Sequence, residues 1–131
     1  MIFIDSNAFI ALWNTDHSFH KTALTVSSNL SQDKQQLITT NFVVAETFTI
    51  LAMRVKKSLA IKFGKEFNSQ NIPIVYINEE YHQKAWKIFQ KIKDKNVSFA
   101  DCASFAVMEH LGITKAFSFD DDFQKYGFEL V

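Results

Sequence analysis

The chain has 131 residues, 47% of them hydrophobic, and its 14 basic and 14 acidic residues give a formal net charge of zero. This length and apolar content predict one domain over residues 1–131 and exclude intrinsic disorder. The zero net charge excludes a protein-wide field that attracts nucleic acid. Because the chain has one cysteine, no recognisable leader and no apolar run of roughly 18 residues, we expect a soluble cytoplasmic protein without membrane contact.

Short apolar runs alternate with helical patterns along the whole chain. Strands are predicted over residues 1–4, 36–40, 74–77, 115–119 and 128–131. Helices are predicted over 6–13, 17–30, 42–55, 58–69, 79–94 and 99–111, with a helical turn over 120–126. The expected N-caps are Asp16, Asn41, Asn78 and Ser98. This alternation predicts an α/β fold, a three-layer α/β/α sandwich around a mostly parallel sheet.

Acidic side chains follow two of the predicted strands. Asp5 comes directly after the first strand and Asp120 directly after the fourth, with Asp121 and Asp122 next in the chain. Ligands of open α/β sheets bind beyond the carboxyl ends of the strands, so Asp5 and Asp120 are expected to meet in one crevice. The competing interpretation is that Asp5 only caps the helix that follows it.

Two further acids lie within apolar helices. Glu46 is surrounded in sequence by apolar residues, and an unpaired carboxylate on a buried face is costly unless it has a partner such as a cation. The alternative is that Glu46 lies on the one exposed strip of its helix, toward Arg54. Asp101 lies beside Cys102 in a second apolar helix, where the alternative is a capping box with Ser98.

The four acids together predict a metal site. Carboxylates gathered in one cleft repel one another, and divalent cations relieve this repulsion. Ligand sets made only of oxygen suit Mg²⁺ or Mn²⁺, and such ions support phosphodiester hydrolysis. The residues therefore favour a metal-dependent hydrolase of phosphodiesters, with a site built from Asp5, Glu46, Asp101 and an acid from the run Asp120, Asp121 and Asp122.

Four segments also resemble, in order, the motifs of PIN-domain ribonucleases, and most of all those of VapC-type toxins of type II toxin–antitoxin pairs. The segments are IDSNAFIAL, VVAETFTIL, VSFADCASFAVM and AFSFDDDFQKYGF. By position, the resemblance assigns metal binding to Asp5, Glu46, Asp101 and Asp120, with Asp122 as a helper. It assigns supporting polar roles to Asn7 and Ser98.

The resemblance implies an activity and partners. We expect cleavage of RNA with Mg²⁺ or Mn²⁺, a homodimer, and a cognate antitoxin that lies across the Glu46 helix and the helix after it. The fourth metal ligand stays open among Asp120, Asp121 and Asp122, because this turn is more acidic than in many members of the family. The number of metal ions, the RNA target and its cleavage site also stay open.

Other interpretations of the sequence compete with this one. A PIN-type RNA-processing nuclease without an antitoxin, or a catalytically silent RNA-binding module, would carry the same motifs. A phospho-receiver domain needs an Asp after the third strand, where this chain has Asn78. His17 and His20 are spaced for a shared metal, but no further His or Cys completes such a site. Among the basic residues, Arg54, Lys56 and Lys57 are better candidates for contact with RNA or with an antitoxin than the lysines of the 79–94 helix.

Overall fold

Five strands form one sheet in which every neighbouring pair is parallel. The computed structural model describes residues 1–131. Its strands are β1 (Ile2–Ile4), β2 (Leu37–Thr40), β3 (Ile74–Val75), β4 (Lys115–Phe117) and β5 (Glu129–Leu130). Their order across the sheet is β3-β2-β1-β4-β5, which places β1 at the centre.

Seven helices connect these strands. They are α1 (Ser6–Trp13), α2 (His20–Gln32), α3 (Asn41–Arg54), α4 (Lys57–Ser69), α5 (Glu79–Lys91), α6 (Phe99–Leu111) and α7 (Asp122–Tyr126). Helices α1 to α4 pack on one another, α5 packs on α6, and α6 packs on α7 through Phe105 and Phe123. Connections between parallel strands are almost always right-handed, so the change of direction along the sheet after β3 puts the two groups on opposite faces. This arrangement confirms the predicted α/β/α sandwich. None of the helices combines the length and apolar character needed to cross a bilayer.

The strand order reverses between β1 and β4. The chain runs outward from β1 to β2 and β3, then returns across the sheet to β4 and β5 on the other side of β1. The register pairs Ile4 with Phe117, and the Asp5 backbone N–H donates to the Phe117 carbonyl at 3.1 Å. The carboxyl ends of the two strands therefore lie side by side at the point where α/β sheets bind their ligands.

Aromatic packing dominates the core. Phe3, Phe63, Phe105, Phe117 and Phe123 are all fully buried, and they belong to one cluster of 28 buried apolar residues. Edge-on contacts join Phe105 to Phe123 at 5.1 Å between ring centroids. This core holds the short central strands in place, so the polar residues that follow them are mounted on a rigid base.

Some predicted boundaries and caps were wrong. Helix α2 begins at His20 after Phe19, so Asp16 does not cap it; the Asp16 N–H instead donates to Asn14 Oδ1 at 3.1 Å. Thr40, not Asn41, caps α3 by accepting a hydrogen bond from the Val43 N–H. Strand β4 ends two residues earlier than predicted, and α5 ends three residues earlier.

Candidate active site

An open cleft of about 430 Å³ lies beyond the carboxyl ends of β1 and β4. Asp122, one of the five acids predicted to hold a metal, does not line this cleft, whereas the other four do, namely Asp5, Glu46, Asp101 and Asp120. They come from four separate places in the chain: the end of β1, helix α3, the first turn of α6 and the segment after β4. The fold thus brings together carboxylates that are up to 115 positions apart in the sequence (120 − 5).

Asp5 is the deepest of these acids, with only 5% of its surface exposed. Its Oδ2 accepts a hydrogen bond from Ser118 Oγ at 3.2 Å. Burial, together with the nearby charges of Asp101 and Glu46, raises the pKa of the Asp5 carboxyl to about 7, against hydrogen bonds from the Ser6 backbone and the Ser118 hydroxyl. A carboxylate in such surroundings gains strongly from a neighbouring cation.

Ser118 links the two strand ends and was missed by the sequence analysis. Its hydroxyl lies 3.2 Å from Asn7 Oδ1 as well as from Asp5, and it accepts the Asp120 backbone N–H at 3.1 Å. Asn7 Oδ1 also accepts the Phe119 N–H at 2.9 Å. A small polar residue between Phe117 and Phe119, in an otherwise apolar run, was the signal available in the sequence. Asn7, predicted to support the acids, acts here by holding the segment after β4.

Glu46 lies on the exposed side of α3, which agrees with the alternative that it occupies the exposed strip of its helix. That side nevertheless faces the cleft, where Ser6 Oγ donates to Glu46 Oε2 at 2.6 Å. Arg54 lines the same cleft but forms no ion pair with any of the acids, since the chain's one salt bridge joins Lys125 to Asp121. Glu46 is therefore oriented by a hydroxyl group and not by a basic side chain.

Asp101 has both of the roles that the sequence offered as alternatives. Its Oδ2 accepts the Ser98 N–H at 2.9 Å, and its own N–H donates to Ser98 Oγ at 3.0 Å, which completes a capping box. It also lines the cleft. Burial raises the pKa of Asp101 against the hydrogen bonds from Ser98, and the charges of Asp120 and Glu46 add to the rise. The cap holds the carboxylate in place at the helix N-terminus.

Three acids form the tightest cluster. Carboxylate oxygens of Asp101, Asp120 and Asp122 all lie within 4.8 Å of one another. The Asp122 N–H donates to Asp120 Oδ1 at 2.9 Å, and burial, followed by the Asp120 charge, raises the pKa of Asp122. Asp121 points elsewhere, with its Oδ2 3.5 Å from Lys125 Nζ on the surface. Of the three consecutive acids, the geometry favours Asp120 and Asp122 as metal ligands over Asp121.

This donor set fits a hard divalent cation. It consists of carboxylates, with hydroxyl and amide groups behind them, and such oxygen-only sets suit Mg²⁺ or Mn²⁺. No histidine belongs to the acidic cluster. His20 Nδ1 lies 2.7 Å from the Ala11 carbonyl, and His17 Nδ1 accepts the Phe19 N–H at 3.0 Å. The two histidines are therefore engaged separately with the backbone.

A family model described as PIN domain matches residues 2–129 of the chain. The 23S rRNA-specific endonuclease VapC20, from two strains of Mycobacterium tuberculosis, is 32% identical over 129 residues, which cover 98% of this chain and 95% of that protein. The crystal structure of Mycobacterium tuberculosis VapC20, described as a sarcin–ricin loop cleaving toxin, superposes with a TM-score of 0.86 at 30% identity. That match covers 98% of this chain and 96% of the other.

A more distant structure shares only the fold. VapBC2 from Rickettsia felis, crystallised with a DNA fragment from its promoter, gives a TM-score of 0.63 at 16% identity. The match covers 100% of this chain and 98% of that one. The sheet and its covering helices are thus retained where few residues are shared.

Proposed function

The chain belongs to the PIN-domain family, and from that premise we propose that it is a Mg²⁺- or Mn²⁺-dependent endoribonuclease, the toxin of a type II toxin–antitoxin pair. The observation that carries the proposal is the convergence of Asp5, Glu46, Asp101 and Asp120 in one cleft. A capping function explains Asp101 alone. It does not explain why acids from four elements share one cleft at the switch point of the sheet.

The acids would hold the cation. We assign Asp5, Asp101 and Asp120 as its principal ligands, with Glu46 and Asp122 as the further oxygen donors. When bound, a divalent ion supplies Lewis-acid activation of water and of the phosphoryl group. The raised pKa of Asp5, to about 7, supports this assignment because a buried, mutually repelling set of carboxylates is relieved by a cation.

The chain's own residues then position these acids and the substrate. Ser6 orients Glu46, Ser98 orients Asp101, and both contacts are hydrogen bonds of 3.0 Å or less. Hydrogen bonds to supporting groups of this kind keep ligands in register for the metal. Arg54, which lines the cleft without an acidic partner, is assigned to a phosphate of the RNA backbone.

Ribosomal RNA is the first substrate class to test. VapC20 is a 23S rRNA-specific endonuclease, and this chain matches it over 98% of its length. We propose that the present chain also cleaves structured RNA at an exposed loop. The zero net charge agrees with a nuclease that recruits its polyanionic substrate locally, through bound cations and Arg54, and not through a basic surface.

An antitoxin surface is proposed on α3 and α4. Phe48, Met53 and Ile61 are exposed there, Met53 by 80% of its surface, and Glu46 of the same α3 helix lines the cleft. An apolar helix of the antitoxin that lies along this surface would bury these side chains and reach the acids. Met53→Glu is expected to weaken co-purification with a protein encoded by the adjacent upstream reading frame, while RNA cleavage stays unchanged.

The decisive experiment is cleavage of total RNA by the purified protein, with and without Mg²⁺, with the ends of the products mapped. Discrete cuts that need the ion and vanish in Asp101→Asn are expected. Asp121→Asn is the matched control, because this neighbouring acid faces solvent and pairs with Lys125. Equal cleavage by wild type and a folded Asp101→Asn variant would refute the site assignment.

The same RNA-cleavage samples distinguish two alternative functions from the proposed one. A PIN-type RNA-processing nuclease would cleave RNA but would have no neighbouring antitoxin. A silent RNA-binding module would bind Mn²⁺ and RNA without cutting either free or ribosomal RNA.

The proposed homodimer is tested by light scattering of the purified protein, where a single-chain mass would contradict it.

A further inference from the structure

An aromatic stack stands at the rim of the acidic cleft. The ring of Phe19 lies parallel to that of Phe119, with 4.7 Å between centroids and 1° between planes. His17 lies beside Phe19 at 6.0 Å and itself lines the cleft. We call His17, Phe19 and Phe119 the aromatic shelf. His17 and Asp120 both line the cleft, and Phe119 directly precedes Asp120, so the shelf adjoins the acids although its two phenylalanines do not line the cleft themselves.

The inner ring of the shelf is fixed by the site itself. The Phe119 backbone N–H donates to Asn7 Oδ1 at 2.9 Å, and the Phe119 ring packs edge-on against the buried Phe117 at 6.1 Å. The position of this ring is thus set by the same strand end that carries Asp120. A group stacked on the shelf would be held at a fixed distance from the acidic cluster.

The outer ring of the shelf is exposed. Phe19 keeps 46% of its surface accessible although one face is covered by Phe119. It belongs to the loop between α1 and α2, in which Asn14 and His17 line the cleft. The Phe19 N–H donates to His17 Nδ1 at 3.0 Å, which leaves the other ring nitrogen of a neutral His17 as a hydrogen-bond donor. An exposed aromatic face next to a donor is the arrangement that receives an unpaired base.

We propose that the aromatic shelf stacks an unpaired RNA base next to the scissile phosphate, with Phe19 as the outer platform. The inference rests on the proposed function, because it takes its ligand from the phosphodiester assigned to the acidic cleft. It adds a role for Phe19 as a positioning residue, which contacts a base but takes no part in bond cleavage. Stacking tolerates any base, so the shelf selects for unpaired RNA and not for sequence.

The test compares RNA binding with and without bases. A short fluorescein-labelled single-stranded RNA of mixed sequence is titrated by anisotropy against Phe19→Ala in an Asp101→Asn background, which keeps the RNA intact. One stacked base is worth roughly 1–3 kcal/mol by alanine substitution, so the dissociation constant should rise about 5-fold or more. For an abasic strand with the same number of phosphates, Phe19→Ala and its parent should have the same dissociation constant. Phe19→Tyr and Phe19→Trp should bind as the parent does.

Phe89→Ala is the matched control. Phe89 is a similarly exposed phenylalanine, 41% accessible, which packs against Trp86 and Phe99. Neither of these lines the cleft, whereas Phe19 packs beside His17, which does. Equal binding by Phe19→Ala and the parent protein, or an equal loss on both strands, would overturn the shelf. RNA binding that depends on Phe19, together with a lack of cleavage by the wild-type protein in Mg²⁺, would support the shelf while contradicting the proposed nuclease. A parent protein that binds no RNA would contradict both.

Discussion

Replacement of Asp5 by Asn should stabilise the ion-free protein at pH 8 while removing its activity. Asp5 is buried, and its pKa is raised to about 7 by burial and by the charges of Asp101 and Glu46. At pH 8 the native state must therefore keep an unfavourable charge. Asn has nearly the same shape and its Oδ1 can still accept the hydrogen bond from Ser118, so the variant loses the charge but little of the packing.

The size of the effect follows from the pKa shift. The carboxyl binds its proton more tightly in the folded chain, near pH 7, than in the unfolded chain, near 3.8. Its contribution to stability is thus complete below pH 3.8 and is lost as the pH rises through 7. The full shift corresponds to about 4 kcal/mol, of which roughly 2.5 kcal/mol is lost between pH 5 and pH 8. The Asn variant has no such loss.

Urea unfolding in EDTA at pH 5 and pH 8 measures this difference. The stability of Asp5→Asn relative to wild type should grow by about 2–3 kcal/mol between the two pH values. Added Mn²⁺ should raise the stability of wild type at pH 8 but not that of the variant, because only the wild-type site binds the ion. Asp121→Asn is the exposed-acid control. If the free energies of unfolding of wild type and Asp5→Asn differ by the same amount at both pH values, the reasoning is refuted.

Four further changes test other parts of the structure. Ser118→Ala should lower the free energy of unfolding by about 1–3 kcal/mol, because it removes the hydroxyl that joins two strand ends. Ser6→Ala should weaken Mn²⁺ binding about 10-fold in calorimetry by releasing Glu46, and unchanged affinity would contradict this role. Arg54→Ala should make the slope of log affinity for RNA against log salt concentration shallower, by the amount expected for the loss of about one phosphate contact. Phe105→Ala should cost about 3–5 kcal/mol in thermal or urea unfolding.

The positions of the strands and strand-end acids were predictable because their signals are local. An apolar run of four residues that stops at Asp5, and another that stops near Asp120, are visible without any tertiary information. The rule that parallel strands bind ligands at their carboxyl ends then brings the two acids together. Ser98 and Asp101 are likewise separated by three residues, so their capping box could be predicted from spacing alone.

The remaining features depend on contacts between distant residues. Asn7 accepts the N–H of Phe119 across 112 positions, and this bond ends the pairing of β4 earlier than its apolar pattern indicates. The apolar neighbours of Glu46 left open whether it lies on a buried face or on an exposed strip of its helix. Several of those neighbours, including Phe48 and Met53, are themselves exposed. An apolar helix with several exposed large side chains gives no local signal of which side meets the core.

The register between β1 and β4 is what turns four scattered acids into one site. Ile4 pairs with Phe117, so Asp5 and Ser118 are the next residues on their strands and point to the same face. A slip of one residue in β4 would reverse the face of every side chain after it and carry Ser118 away from Asp5. The core opposes such a slip, because the fully buried Phe117 and Ala116 would exchange faces, which overpacks one side of the sheet and leaves a cavity on the other. The apolar packing of two short strands therefore determines where the acids after them can bind a metal.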